Sequence, residues 1–192
     1  HQTRVEDGFR ADLDALASLV GPRTRGIILN SPQNPSGVVY SAEELDQLAA
    51  FVEEHDLLLI SDEIYQHLQF AEEKVPSILA LHPRLRERSL MVNSLSKTYA
   101  VPGWRMGFAA GPRWWVDRMA RAWGHSGSNL NALMQQVLGS VLAEGTAFCA
   151  ERTEAFARRA KIATEILSGI DGVRVSAPAG AFYIFPDLGA WI

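Results

Sequence analysis

Ser94-Leu95-Ser96-Lys97-Thr98-Tyr99-Ala100-Val101-Pro102-Gly103-Trp104-Arg105-Met106-Gly107 is the most informative stretch of the chain. It follows the apolar run Leu90-Met91-Val92, which predicts a buried strand, and it contains the turn-forming pair Pro102-Gly103. Lys97 therefore stands at the C-terminal end of a strand. In an open α/β sheet ligands collect at that edge, and an amine desolvated there becomes a nucleophile able to form a Schiff base. Ser94 and Arg105 can bracket the same point with a hydroxyl and a guanidinium, whose forked N–H groups suit a phosphate. An amine with an anion cradle suggests pyridoxal phosphate as the ligand.

Two upstream segments repeat the plan of apolar strand and polar loop. Gly26-Ile27-Ile28-Leu29 is a short apolar run of the kind buried on both sides in a parallel sheet. Asn30-Ser31-Pro32-Gln33-Asn34-Pro35-Ser36-Gly37 follows it, and its prolines and glycine force a compact loop that can aim the Asn34 amide at a ligand over the strand ends. A plain turn before the next helix is the competing reading, since Ser41 and Glu44 have capping-box spacing. The Asn34-Pro35 bond is expected to be cis. Leu57-Leu58-Leu59-Ile60 is the next buried strand and ends in Ser61-Asp62-Glu63-Ile64-Tyr65. A carboxylate directly after a buried strand needs a partner, and a protonated pyridine nitrogen would satisfy Asp62. Helix capping by Asp62 and core packing by Tyr65 are the alternatives. Glu63 and His67 stand four apart with no third ligand at a usual spacing, so no metal is expected.

Taken in order, these segments, together with the glycine-aromatic run Gly180-Ala181-Phe182-Tyr183-Ile184-Phe185-Pro186, resemble the class I/II aminotransferases, the fold type I enzymes that use pyridoxal phosphate. The resemblance extends from about Asp7 to Leu188. It implies an α/β fold: a three-layer αβα large domain on a mostly parallel sheet, residues 1–145, and the beginning of a small α+β C-terminal domain, residues 146–192. It implies Lys97 as the catalytic residue that carries the cofactor as a Schiff base. Asn34 would touch the ring hydroxyl and the substrate carboxylate, Asp62 would keep the ring nitrogen protonated, Tyr65 would bond the ring oxygen, and Ser94 and Arg105 would hold the phosphate.

The function so implied is transfer of an amino group from an amino acid to a 2-oxo acid, most like the bacterial aspartate and aromatic aminotransferases. A homodimer is implied too, with Ser128 and Asn129 as interface candidates. A carbon-sulfur lyase or aminocyclopropane-carboxylate synthase-like enzyme could use the same residues, and a cofactor-binding sensor domain of a transcription regulator is a third possibility. Family members run to about twice this length. The resemblance thus implies that the 192 residues are the middle and part of the end of such an enzyme, without its substrate-binding C-terminal arginine. Alone they are expected to bind cofactor poorly and to expose apolar faces.

Composition narrows the partners. The chain is 47% hydrophobic and 21% charged, with net charge −4 and pI near 5.7, so no global basic field favours nucleic acid or an anionic membrane. One cysteine, Cys149, excludes an internal disulfide and a cysteine metal cluster, and it is expected to be buried. No apolar run approaches the roughly 18 residues of a membrane span, and His1 to Arg10 has no signal-peptide pattern; the cytoplasm is the expected compartment. Periodicity predicts helices over Asp12–Val20, with Leu13, Leu16, Leu19 and Val20 inward, and over Ala42–Glu54, with Leu45, Leu48, Ala49 and Val52 inward. It further predicts a strand over Trp104–Ala110, antiparallel by resemblance, helices from Trp114 to Ala122, Ala132 to Leu142 and Ala147 to Leu167, and strands at Val173–Val175 and Gly180–Pro186.

Overall fold

The computed structural model describes residues 3–127, 131–146 and 149–191, which leaves Ser128, Asn129 and Ala147 outside the described residues. Strands β1 (Gly26–Asn30), β2 (Leu58–Asp62), β3 (Ser89–Ser94) and β4 (Gly107–Ala110) form one sheet in the order β1-β2-β3-β4. The first three are parallel and β4 is antiparallel to β3. The expectation of an α/β protein with a mostly parallel sheet is met.

Helix α1 (Leu13–Leu19) is capped by Asp12, whose side chain accepts from Ala15 N at 3.0 Å. Leu13, Leu16, Ala17 and Val20 reach the core, an i, i+3, i+4, i+7 set. Leu19 falls off that stripe and is 61% exposed, which corrects its predicted inward place. Helix α2 (Ala42–Glu54) begins with the complete capping box of Ser41 and Glu44 and buries Leu45, Leu48, Ala49, Phe51 and Val52. These side chains meet Leu29 of β1 and Leu59 of β2, with Ile78 and Leu85 closing the cluster. Ile78 opens the short helix α3 (Ile78–Leu81), and the charged connector behind it winds into a 3₁₀ turn over Pro83–Arg88.

The core therefore lies on one face of the sheet. Because side chains alternate along a strand, Ile28 points to the other face and is 69% exposed. The Gly26–Leu29 run is thus not buried on both sides as its sequence suggested: the core covers the face of Ile27 and Leu29 and leaves that of Ile28 open. The lysine segment begins with helix α4 (Leu95–Thr98), then a 3₁₀ turn over Pro102–Trp104. Arg105 is left-handed at φ 54°, so the strand starts at Gly107 and not at Trp104.

Helices α5 (Arg113–Ser126), α6 (Ala132–Glu144) and α7 (Cys149–Ser168) follow. Helix α5 runs past its predicted end and absorbs Gly124, and its Trp114 and Trp115 rings stack on each other at 5.3 Å. Cys149 is buried. No helix among the described residues is long and apolar enough to cross a membrane.

The last segment departs from its predicted pair of strands. Arg174 and Asp187 share a single antiparallel bridge, and Gly180 bridges Gln69 instead. The reason is competition for backbone partners. Ala179 N and Gly180 N both donate to Gly37 O, Ala181 N donates to Leu68 O, and Phe70 N donates to Ala179 O, so the segment is spent on the loops after β1 and β2. Gly37 makes this docking possible. It is left-handed at φ 72°, and a Cβ there would lie 2.3 Å from Pro178 Cβ. Gly37→Ala is expected to cost about 1–2 kcal/mol from its backbone alone and more from that clash. A urea-unfolding midpoint equal to wild type would show that the docking does not depend on Gly37.

Candidate active site

The register of the parallel strands sets the site. Asn30 of β1 is paired with Asp62 of β2, and Asp62 with Val92 of β3, so the loops that leave these strands emerge side by side. Asn30 ties two of them together. Its Nδ2 donates to Asp62 O at 3.1 Å, while its Oδ1 accepts from Asn34 N at 2.8 Å. The compact loop between them contains two cis bonds, Ser31-Pro32 and the expected Asn34-Pro35. Gln33 closes it by accepting from Ser36 N and, through its backbone N–H, donating to Val38 O.

Lys97 sits on α4, directly beyond β3, and the short helix is held from three directions. Ser94 caps it, accepting from Ser96 N at 3.0 Å, and also donates to Met106 O at 2.6 Å, which fixes it to the turn before β4. Thr98 O accepts from Cys149 Sγ at 3.2 Å and from Arg152, both in the first turn of α7. Tyr99 Oη donates to carbonyls at the end of α6, Val141 and Gly145. A four-residue helix is unstable by itself, so these outside anchors set where the amine points.

Lys97 Nζ stands 5.9 Å from the centroid of the Tyr65 ring and 5.3 Å from that of Phe182. Tyr65 is 4% exposed, and its hydroxyl lies 2.6 Å from that of Tyr183. The Tyr65 phenol is held well above the usual tyrosine range, first by burial, next by the hydrogen bond to Tyr183 and that residue's charge; a hydrogen bond from Asn34 pulls it down and the Asp62 carboxylate pushes it up. Lys97, Tyr65, Asn34 and Asp62 are thus brought together. Asp62 itself is half-buried, with Oδ1 accepting from Ile64 N at 3.3 Å. Ser94 and Arg105 form a second group on the adjoining turn, where Arg105 is exposed and donates through Nη1 to Pro102 O at 2.9 Å. No hydrogen bond or ion pair among the described residues joins Arg105 to the group around Lys97.

Glu63 points away into the core, where its carboxylate accepts from Ser61 Oγ at 2.8 Å and Ser77 Oγ at 2.5 Å. Those bonds give it a structural partner set, and no group of three or more metal-ligating side chains occurs among the described residues. Asn30, Phe182 and Tyr183 are contributors that were not singled out from sequence. The asparagine pair spaced by four was a signal for Asn30. The run Gly180–Phe185 stands out in the sequence, but nothing local ties its rings to residues more than a hundred positions earlier.

The sequence matches the family described as aminotransferase class I and II over residues 1–191. The chain belongs to the class I and II aminotransferases. It is 35% identical over 182 residues to an aspartate aminotransferase of Geobacillus stearothermophilus, covering 95% of this chain and 46% of that protein. An aspartate/prephenate aminotransferase of Nitrosomonas europaea is 35% identical over 187 residues, with 97% of this chain and 47% of that protein covered. The crystal structure of the aspartate aminotransferase of Rhizobium meliloti superposes with a TM-score of 0.92 at 36% identity, covering 97% of this chain and 47% of that one. The chain spans about half the length of the curated relatives it matches.

Aminotransferases of this family depend on pyridoxal phosphate. The donor set fits that group in kind: an amine beside two aromatic faces, a half-buried carboxylate, a phenol with an amide, and a hydroxyl with a guanidinium on the next turn.

Tyr65, and also Tyr40, whose phenol burial likewise raises, ionise with more difficulty in the folded chain than in the unfolded one. Their contribution to stability is complete below the ordinary tyrosine value of about 10 and is lost as pH rises beyond it. Unfolding free energy from urea titrations is therefore expected to hold to about pH 9 and fall above about pH 10, with a shallower fall in Tyr65→Phe. An unchanged alkaline slope in that variant would mean that Tyr65 is not the group responsible.

Proposed function

We propose that the protein is a pyridoxal phosphate-dependent aminotransferase that moves the amino group of a 2-amino acid to a 2-oxo acid. The observation that supports it most directly is the placement of the Lys97 amine against Tyr65, at the point where Asn34 and Asp62 also converge. Bound there, the cofactor supplies an aldehyde carbon for amine exchange and a ring that delocalises the electron pair left when the substrate Cα–H bond breaks.

The chain's own residues do the rest. Lys97 Nζ would hold the cofactor covalently and would also serve as the general base toward the proton on the substrate Cα. Its surroundings suit both roles, since the Tyr65 and Phe182 rings exclude water from one side of the amine. The Asp62 carboxylate would hold a proton at the ring nitrogen. Tyr65 and Asn34 hold the ring oxygen, and Asn34, exposed at the loop tip, can also meet the substrate carboxylate. Ser94 and Arg105 would take the phosphate: among the described residues Arg105 engages one guanidinium N–H, with Pro102 O, which leaves others for an anion.

The relatives' names, aspartate and aspartate/prephenate aminotransferase, support small amino and oxo acids as substrates. A homodimer is part of the same proposal. It is supported by the apolar side chains exposed on α5 and α6, such as Trp123 and Leu133, and sedimentation as a monomer would count against it. The division into 1–145 and 146–192 is also proposed, and limited proteolysis that spares the connection between α6 and α7 would argue otherwise. The lone buried Cys149 suits a reducing compartment, the cytoplasm.

Adding pyridoxal phosphate to the purified full-length protein that contains this segment is expected to give a visible absorbance band that Lys97→Ala abolishes, along with amino transfer. Asp62→Asn is expected to keep the band while slowing transfer by at least about a hundredfold, on the scale of losing a charge-stabilising group. A wild-type band that survives Lys97→Ala would refute the assignment of Lys97. Release of ammonia and a 2-oxo acid from one amino acid, with no 2-oxo acceptor present, would move the reaction to the lyases.

A further inference from the structure

Tyr65 and Tyr183 are 118 residues apart, yet their hydroxyls meet at 2.6 Å in a contact where either can be the donor. A phenol has one proton to give and two lone pairs to fill. The Asn34 side chain lies close enough to the Tyr65 phenol to favour its ionised form, and Asp62 and Lys97 are charged groups near it. Two arrangements are open to the pair. If Tyr65 donates to Tyr183, its only proton is turned away from the cluster around Lys97. If Tyr183 donates to Tyr65, that contact fills a Tyr65 lone pair and leaves the Tyr65 proton for whatever anion lies beside it.

We infer that Tyr183 is a positioning residue: when an anionic ring oxygen occupies the site, Tyr183 donates to Tyr65 and thereby commits the Tyr65 proton to that oxygen. The inference rests on the pyridoxal phosphate reading of the site. The scaffold holds Tyr183 to this task from both site loops. Gly180 N donates to Gly37 O at 3.0 Å and Ala181 N to Leu68 O at 2.7 Å, which pins the backbone directly ahead of Phe182 and Tyr183. Ala181 is fully buried and left-handed at φ 59°, and a Cβ on Gly180 would lie 2.6 Å from Leu68 O, so the segment has little freedom to retreat. The rings of Phe182 and Tyr183 both meet Tyr65 edge-on, at 5.5 and 5.6 Å, and leave its hydroxyl edge to Tyr183. A residue from beyond α7 thus completes a site whose other members come from the strand ends.

The test is Tyr183→Phe in the protein loaded with pyridoxal phosphate, read as the pH midpoint of the visible band of the Lys97-bound cofactor. Removing one neutral donor from the chain that stabilises an anionic ring oxygen is expected to raise that midpoint by about half a unit to one unit. Tyr65→Phe is expected to raise it further, and adding Tyr183→Phe in that background is expected to move it no more. Near-UV circular dichroism checks that each variant keeps its packing. A wild-type midpoint in Tyr183→Phe overturns the inference and leaves the cofactor reading standing, as does an equal shift in the Tyr65→Phe background, which would show that Tyr183 does not act through Tyr65. A full-length wild-type protein that gives no band overturns both.

Discussion

The in-phase pairing of three parallel strands is the constraint on which the rest depends. Once Asn30, Asp62 and Val92 stand in one row, the loops that follow must leave the sheet side by side. The peptide groups exposed there need partners. Asn30 meets part of that need with one side chain, giving to Asp62 O and accepting from Asn34 N. A slip of one residue in either pairing would turn Asn30 or Asp62 to the face where α2 lies, into a cluster of leucines that could not solvate either polar group.

From that row the site is assembled by distant pieces holding short ones. The helix that carries Lys97 is four residues long, and its carbonyls and hydroxyls are anchored to the turn before β4 and to the ends of α6 and α7. The loop that carries Asn34 is anchored by Gly37, whose carbonyl accepts two N–H groups from the segment around Gly180. The functional groups therefore lie on loops, and their precision comes from elements that contribute no chemistry.

Much of this was legible in the sequence where the signal is local. Helix α2 announced itself by its capping box and its inward stripe, and its bounds are those predicted. The apolar runs marked β1, β2 and β3, and the residues after them are the ones that the structure draws together: Asn34, Asp62, Tyr65 and Lys97. What failed was long-range. An apolar run does not say whether both faces of its strand will be covered, so the exposure of Ile28 was not foreseen. Val173–Val175 and Gly180–Pro186 have strand composition, but Gly180 N and Ala181 N bond across the molecule to Gly37 O and Leu68 O, and the pairing that remains near them is the single Arg174–Asp187 bridge. The left-handed Arg105 was hidden for the opposite reason, because an arginine carries no turn signal of its own and takes that conformation from the Pro102-Gly103 turn before it.

Burial is distributed in a way that bears on how the site is completed. Helix α7 is 20 residues long, yet its only buried residues are Cys149 and Thr153, in its first turn and a half. Both face the site side: Cys149 Sγ donates to Thr98 O, one residue from Lys97, and Thr153 Oγ1 donates to His67 O, two residues from Tyr65. Farther along, Ile162 and Ile166 are exposed. The helix is thus fastened to the site at one end and lightly held along the rest. The chain beyond it returns Phe182 and Tyr183 to Tyr65 through backbone bonds to the same loops. Stability in a fold is uneven, and weakly buried elements open most readily. A site that draws one tyrosine from the strand ends and another from beyond such a helix is therefore complete only while that returning segment is docked, which couples the position of the segment to the hydrogen bonding of Tyr65.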